Sequence, residues 1–339
     1  MVLRDRASIF SLEEGQLASA IRRHKARTVL VQLPEGLRSY ALRIAAVVED
    51  AGARCFILAD PCYGACDLPL SEAQAITADL IVHYGHSQMI RRSDIRTVYF
   101  DARAKVEVKT AVNRALRILK RWKSIGLATT VQHVHKLGTA RDILLKEGKK
   151  VLVGDAGRLK YSGQVIGCDY SNAKVIEDQV NAFLFIGGGK FHAVGISLET
   201  SRPTVVADPY EKRAYSVDSE ARRIRKQRLT SVSEARQAET FGVIIGLKPG
   251  QNRLRDAIKV KNRLERKGKR ALLFAAREIT PEVLMEFPAI DAFVSTACPR
   301  LALDDSSRFS KPLLTINEAL AVIDEVDWDK LCRGSWFEN

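Results

Sequence analysis

The sequence predicts an α/β protein of three repeated βαβ-type domains, each with a parallel four-stranded sheet, set around a pseudo-threefold centre. Three observations lead there. Short apolar runs alternate with amphipathic stretches of about 10–15 residues, the pattern of strands joined by crossover helices. The same order of elements recurs three times along the 339 residues. Each repeat also carries a cysteine in a loop just past a strand: Cys66, Cys168 and Cys298. Sheets of this kind collect ligands at the carboxyl ends of their strands, so all three loops fall on ligand-binding edges. The expected domains are 1–120, 121–215 and 216–339, the last opening with a bridging helix.

In the first repeat an apolar strand over Thr28–Leu33 turns at Pro34-Glu35-Gly36. A helix over Leu37–Ala51 follows, with Leu37, Ala41, Ile44, Ala45 and Val48 on one face, and Gly52 ends it. Strand Arg54–Leu58 leads into the loop Asp60–Asp67. Strands Ala78–Tyr84 and Arg96–Phe100 complete the unit. The second repeat runs from strand Ile125–Thr130 through the polar loop Gln132–His135 into helix Leu137–Glu147. Strand Lys150–Gly154, the loop Asp155–Tyr170, and strands Ala182–Gly187 and Thr204–Asp208 follow. Helix Ser216–Glu239, basic on one side, then bridges to the third repeat. That repeat reads as strand Gly242–Leu247, loop Lys248–Gln251, helix Asn252–Lys267, and strands Arg270–Ala275, Ala292–Thr296 and Pro312–Ile316. Cys66 and Cys168 follow the second strand of their units and Cys298 the third, so the repeat is not strict.

Composition narrows the function. The longest apolar runs, such as Val151–Val153 and Val243–Ile245, are strand-sized and far short of a membrane span. The N-terminus carries charges and no apolar leader core, which predicts a soluble, cytoplasmic protein. A net charge of +14 suits an acidic partner, either a protein surface or nucleic acid. Much of the basicity is spread over the helical stretches Arg114–Lys123, Arg222–Arg228 and Lys259–Arg270, which reads as solvated helix faces. No RNA-binding signature accompanies it, so nucleic acid is not the expected partner.

Six cysteines are too few for a disulfide scaffold in a chain of this size. One cysteine from each of three repeats is what an iron–sulfur cluster held between domains requires, and a cubane with three thiolates keeps one iron open. Cys62 and Cys66 compete for one ligand position. The compact three-cysteine motif of radical-SAM barrels is absent, because its third position falls on Pro69. Gly64 and Gly167 would let backbone approach a bulky group, and Pro299 stiffens the loop after Cys298. Cys55, inside an apolar strand, reads as a buried small hydrophobe, and Cys332, near a frayed end, as surface or incidental. Zinc is the other metallic reading, but only one local pair has about the right spacing. Strand-end candidates for holding a small cofactor are Gly187, Gly188, Gly189, Lys190, His192, Lys248, Gly250 and Gln251. His83 and His86 read either as satisfied polar residues beneath the cluster loop or as substrate contacts.

Six segments, in order along nearly the whole chain, carry a family resemblance. They are Gln32-Leu33-Pro34-Glu35-Gly36, Tyr63-Gly64-Ala65-Cys66-Asp67, His83-Tyr84-Gly85-His86-Ser87, Gly163-Gln164-Val165-Ile166-Gly167-Cys168, Gly246-Leu247-Lys248-Pro249-Gly250-Gln251 and Ala297-Cys298-Pro299-Arg300. Together they resemble the diphthamide biosynthesis family, in the compact form of its archaeal homodimeric member. The resemblance implies that Cys66, Cys168 and Cys298 ligate a 4Fe–4S cluster with an open iron. It also implies S-adenosylmethionine as co-substrate, a radical transfer of its 3-amino-3-carboxypropyl group to a histidine of translation elongation factor 2, a homodimer and an electron donor. Two readings compete. One is an enzyme resembling quinolinate synthase, whose open iron acts as a Lewis acid. The other is a basic RNA- or ribosome-associated protein with structural cysteines.

Overall fold

The computed structural model describes residues 8–304, 306–332, 334 and 336–337; the seven N-terminal residues, on which the expectation of no leader rests, lie outside them. Three sheets share one strand order. The first contains β1 (Thr28–Gln32), β2 (Arg54–Ile57), β3 (Leu80–Tyr84) and β4 (Arg96–Phe100), all parallel, in the order β2-β1-β3-β4. The second contains β5 (Ser124–Thr129), β6 (Lys150–Val153), β7 (Ala182–Ile186), β8 (Thr204–Asp208) and β9 (Arg213–Ser216), in the order β6-β5-β7-β8-β9. The third contains β10 (Thr240–Gly246), β11 (Arg270–Ala276), β12 (Ala292–Ser295) and β13 (Leu313–Leu314), parallel in the order β11-β10-β12-β13.

The second sheet corrects the expectation of four strands: β9 adds a fifth, antiparallel to β8. It returns through a tight turn in which Asp208 Oδ1 accepts from the amides of Tyr210 and Glu211, at 2.9 and 3.1 Å. A four-residue strand behind such a turn, partly exposed throughout, leaves no apolar alternation to read. The helices also begin differently from the expectation. After β1, β5 and β10 an extended residue (Pro34, Thr130, Lys248) is followed by 3₁₀ turns over Glu35–Tyr40, Val131–Lys136 and Pro249–Gln251. None of these turns has a side-chain cap; the amides of Leu37, His133 and Gln251 donate back to the carbonyls of Pro34, Thr130 and Lys248. Helix Phe191–Thr200 escaped the sequence reading because it is buried from Ala193 through Thr200 and shows no polar stripe.

Buried strands explain the near-continuous apolar runs. On β7, Phe183 and Phe185 enter one core while Ala182, Leu184 and Ile186 enter another on the opposite face. On β10, Phe241, Val243 and Ile245 face one core and Ile244 the other. Helix Lys109–Leu119 packs Val112, Ala115 and Leu119 against the second sheet, although its residues precede position 121. Helix Asp218–Arg236 lies across two units: Ala221 and Ile224 join the second sheet's core, Val232 and Ala235 the third's.

One cysteine reading changes. Cys55 is only half-buried, because β2 is an edge strand with exposed Phe56 and Ile57. Cys332 is partly buried. It packs beside the second sheet's core, where Trp336 and Phe337 are buried and donate their amides to Glu199 Oε2 at 3.2 and 3.4 Å. Among the described residues no helix is long and apolar enough to cross a membrane.

Candidate functional site

The carboxyl ends of the three sheets are tied to one another by polar contacts, most of them from the cysteine loops themselves. Gln164, on the stretch leading to Cys168, donates to Ser87 Oγ at 3.0 Å, and Gln132 Nε2 donates to Gly85 O at 2.6 Å. Gly250 N–H donates to Cys66 O at 2.7 Å. Arg300, two residues past Cys298, donates to Phe191 O at 3.1 Å and lies over the Phe191 ring at 3.7 Å. Each pair of units is therefore joined beside a cysteine.

Cys66, Cys168 and Cys298 face this common junction. Burial pushes the Cys168 thiol up to about 12, and the charges of Cys298 and Cys66 push in the same direction, while Arg253 opposes them. Burial likewise raises Cys298, with Cys66 adding to it. Cys66 is raised by burial and eased downward by Gln251, whose Nε2 donates to its Sγ at 3.3 Å. Three mutually repelling thiols need a positive group to hold them as thiolates, which is what a metal centre supplies. Their sulfurs do not all gather within 4.8 Å. One ion bonded to sulfur at about 2.3 Å spans at most about 4.6 Å between two sulfurs. The donor set is thus too wide for a single ion, and its softness and spread fit a multi-iron group.

The remaining candidates divide. Lys248, Gly250 and Gln251 belong to the junction. Lys248 is buried, donates to Arg277 O at 2.9 Å and Glu278 Oε1 at 2.7 Å, and lies over the Tyr63 ring. His192 is stacked on Phe185 and sits within the electrostatic reach of Arg300 and His86. Burial drives it down to about 3. Gly187–Gly189 form the turn after β7, where a side chain on Gly187 would meet the Phe185 ring at 2.9 Å and Gly189 N–H donates to Asp208 Oδ2 at 3.1 Å. Lys190 extends away, exposed and paired with Glu220 at 3.0 Å.

Cys62 is within electrostatic reach of Cys66. Its sulfur clusters with His83 and His86. Sequence reasoning quoted Arg300 without a role and missed Arg253 and Phe191. All three are visible only once the third unit meets the second.

Fold and site together define a three-sheet α/β protein that brings one thiol from each sheet to a shared centre. The chain belongs to the diphthamide synthesis protein family, whose model matches residues 33–332. It is 35% identical to the 2-(3-amino-3-carboxypropyl)histidine synthase of Pyrococcus horikoshii, over 96% of this chain and 95% of that one. It is 31% identical to subunit 1 of the corresponding synthase of Caenorhabditis elegans, over 94% of this chain and 81% of the other. The crystal structure of Dph2 from Pyrococcus horikoshii with a 4Fe-4S cluster matches with a TM-score of 0.85 at 33% identity, covering 96% of this chain and 95% of that one.

Proposed function

We propose that this chain transfers the 3-amino-3-carboxypropyl group of S-adenosylmethionine to C2 of a histidine imidazole in translation elongation factor 2, as a cytoplasmic homodimer served by an electron donor. The observation that carries this reading is the convergence of Cys66, Cys168 and Cys298, one from each sheet, on a centre too wide for one ion. The cluster in the Pyrococcus relative's structure supports it.

In this reading the three thiolates hold a 4Fe–4S cluster with one iron free of protein sulfur. When bound, that group supplies an electron beside the sulfonium of the co-substrate. The chain's own residues bind and orient. Gln251 and the Gly250 amide grip Cys66 from the third unit and fix where that thiol points. Arg300 is buried, paired with Asp304 at 2.5 Å, and its Nη1 is buried without a hydrogen-bond partner. A guanidinium with a spare donor next to Cys298 suits the carboxylate of the methionine part. The partly exposed Phe191 ring offers an apolar face for the adenosine. Lys248, held by Glu278, lies over the Tyr63 ring of the loop that carries Cys66.

The test is anaerobic purification with iron quantification, then dithionite and S-adenosylmethionine without protein substrate. 5′-Methylthioadenosine together with 2-aminobutyrate or homocysteine sulfinic acid is expected. Iron without cleavage would favour a Lewis-acid enzyme, and no iron a binding protein.

A further inference from the structure

A second set of ligands lies beside the first and is used by nothing above. One ligand atom each from Cys62, His83 and His86 lies within 4.8 Å of the others, and among the described residues this is the one such group of three or more His, Cys, Asp or Glu. His83 Nε2 and His86 Nδ1 share a hydrogen bond at 3.0 Å, so an ion would take the place of the proton between them. That separation is inside the ceiling of about 4 Å for two nitrogens each about 2.0–2.1 Å from one ion.

The hydrogen bonding presets His83. The side-chain amide of Gln32 donates through Nε2 to Asp67 O at 2.7 Å, so its Oε1 is the acceptor that faces the ring. Oε1 is 2.7 Å from His83 Nδ1 and accepts its N–H, which leaves Nε2 as the unprotonated nitrogen, facing His86. An imidazole whose far nitrogen donates to a fixed carbonyl is the arrangement that outer-shell partners impose on metal-binding histidines. His83 is fully buried at the end of β3, whereas Cys62 and His86 are largely but not wholly buried.

We propose that Cys62, His83 and His86 bind one borderline-soft divalent ion of the zinc class, with water in the fourth position. One thiolate and two imidazoles suit such an ion better than hard cations, and three protein ligands leave an open coordination site. The ion ties the loop Asp60–Asp67, which carries Cys66, to the end of β3. It is distinct from the three-thiol centre and does not depend on the reaction proposed above.

The test uses the anaerobically prepared, iron-loaded chain, given one equivalent of zinc and then desalted. Metal content is measured per chain, and the zinc shell is read by X-ray absorption. The expected result is about one zinc held beyond the iron, with one sulfur at about 2.3 Å and the rest nitrogen or oxygen at about 2.0–2.1 Å. Cys62→Ser and His86→Gln should each lower zinc occupancy about tenfold or more while iron content and circular dichroism hold. Gln32→Leu should weaken zinc binding by about 10–100-fold. Less than about a tenth of a zinc per chain would overturn the proposal. So would a three-sulfur shell, which would put the zinc on Cys66, Cys168 and Cys298, or occupancy unchanged in Cys62→Ser and His86→Gln. If a variant does not fold, the sulfur count in the parent chain decides alone. Loss of S-adenosylmethionine cleavage with zinc retained would count against the proposed reaction and leave this site standing.

Discussion

At the scale of single residues, the centre depends on close approaches that tolerate no added atom. A Cβ on Gly250 would lie 2.6 Å from Cys66 Cα, against backbone that has no rotamer to escape into. Gly250→Ala should therefore break the Gly250–Cys66 hydrogen bond, cost about 1–3 kcal/mol and shed most of the bound iron, measured by denaturant titration and iron assay. His133 makes a different kind of prediction. It is buried against Tyr210 with Nδ1 unpartnered, and burial, helped by His135 and Lys136, lowers it from 6.5 to about 4. A histidine held neutral when folded and free to protonate when unfolded costs nothing above its unfolded value. Stability falls as pH drops from about 6.5 through about 4, by up to roughly 3 kcal/mol. Equilibrium unfolding at stepped pH should show this loss, and His133→Gln should make the acid limb shallower by that share, with buried His192 still contributing. An identical acid limb in the variant would refute the assignment.

At the scale of elements, the bridging helix Asp218–Arg236 is fixed by a buried ion pair. Arg228 and Glu318 are both fully buried and meet through two contacts of 2.7 Å. Arg228 also donates to Ala302 O at 2.8 Å and Leu313 O at 2.7 Å, and Glu318 completes the capping box of helix Ile316–Val322 with Thr315. Every polar atom is spent, so removing one partner strands the other. Glu318→Gln or Arg228→Met should each cost about 3–5 kcal/mol in denaturant titrations, and a double replacement by apolar residues should cost less than the sum. The sequence marked this helix as basic and assigned its charges to solvent. For most of them that is where they lie, but a periodicity argument cannot tell a buried arginine from an exposed one when its partner is 90 residues away.

At the scale of the whole molecule, the three units contribute equally to one centre, so their cysteines should be equally indispensable. Cys66→Ala, Cys168→Ala and Cys298→Ala should each lose the iron and the activity, whereas Cys332→Ala and Cys62→Ala keep the iron. A colourless Cys62→Ala with a brown Cys66→Ala would reverse the roles within that loop. The succession of strands along the chain, the crossover helices and the placing of each cysteine loop at a strand end were legible in the sequence, because they follow from local periodicity and glycine stops. The antiparallel β9 and the buried helix Phe191–Thr200 were not, since neither leaves an alternating pattern. The sequence by itself determined the three-unit α/β plan and the residue types at its edges. Only the tertiary structure decided which thiols meet, that Cys62 turns to His83 and His86 while Cys66 turns to the third unit, and that Arg300 is left with a spare donor. Those outcomes depend on distances between residues far apart in the chain, fixed by how three cores pack, and no local pattern encodes them.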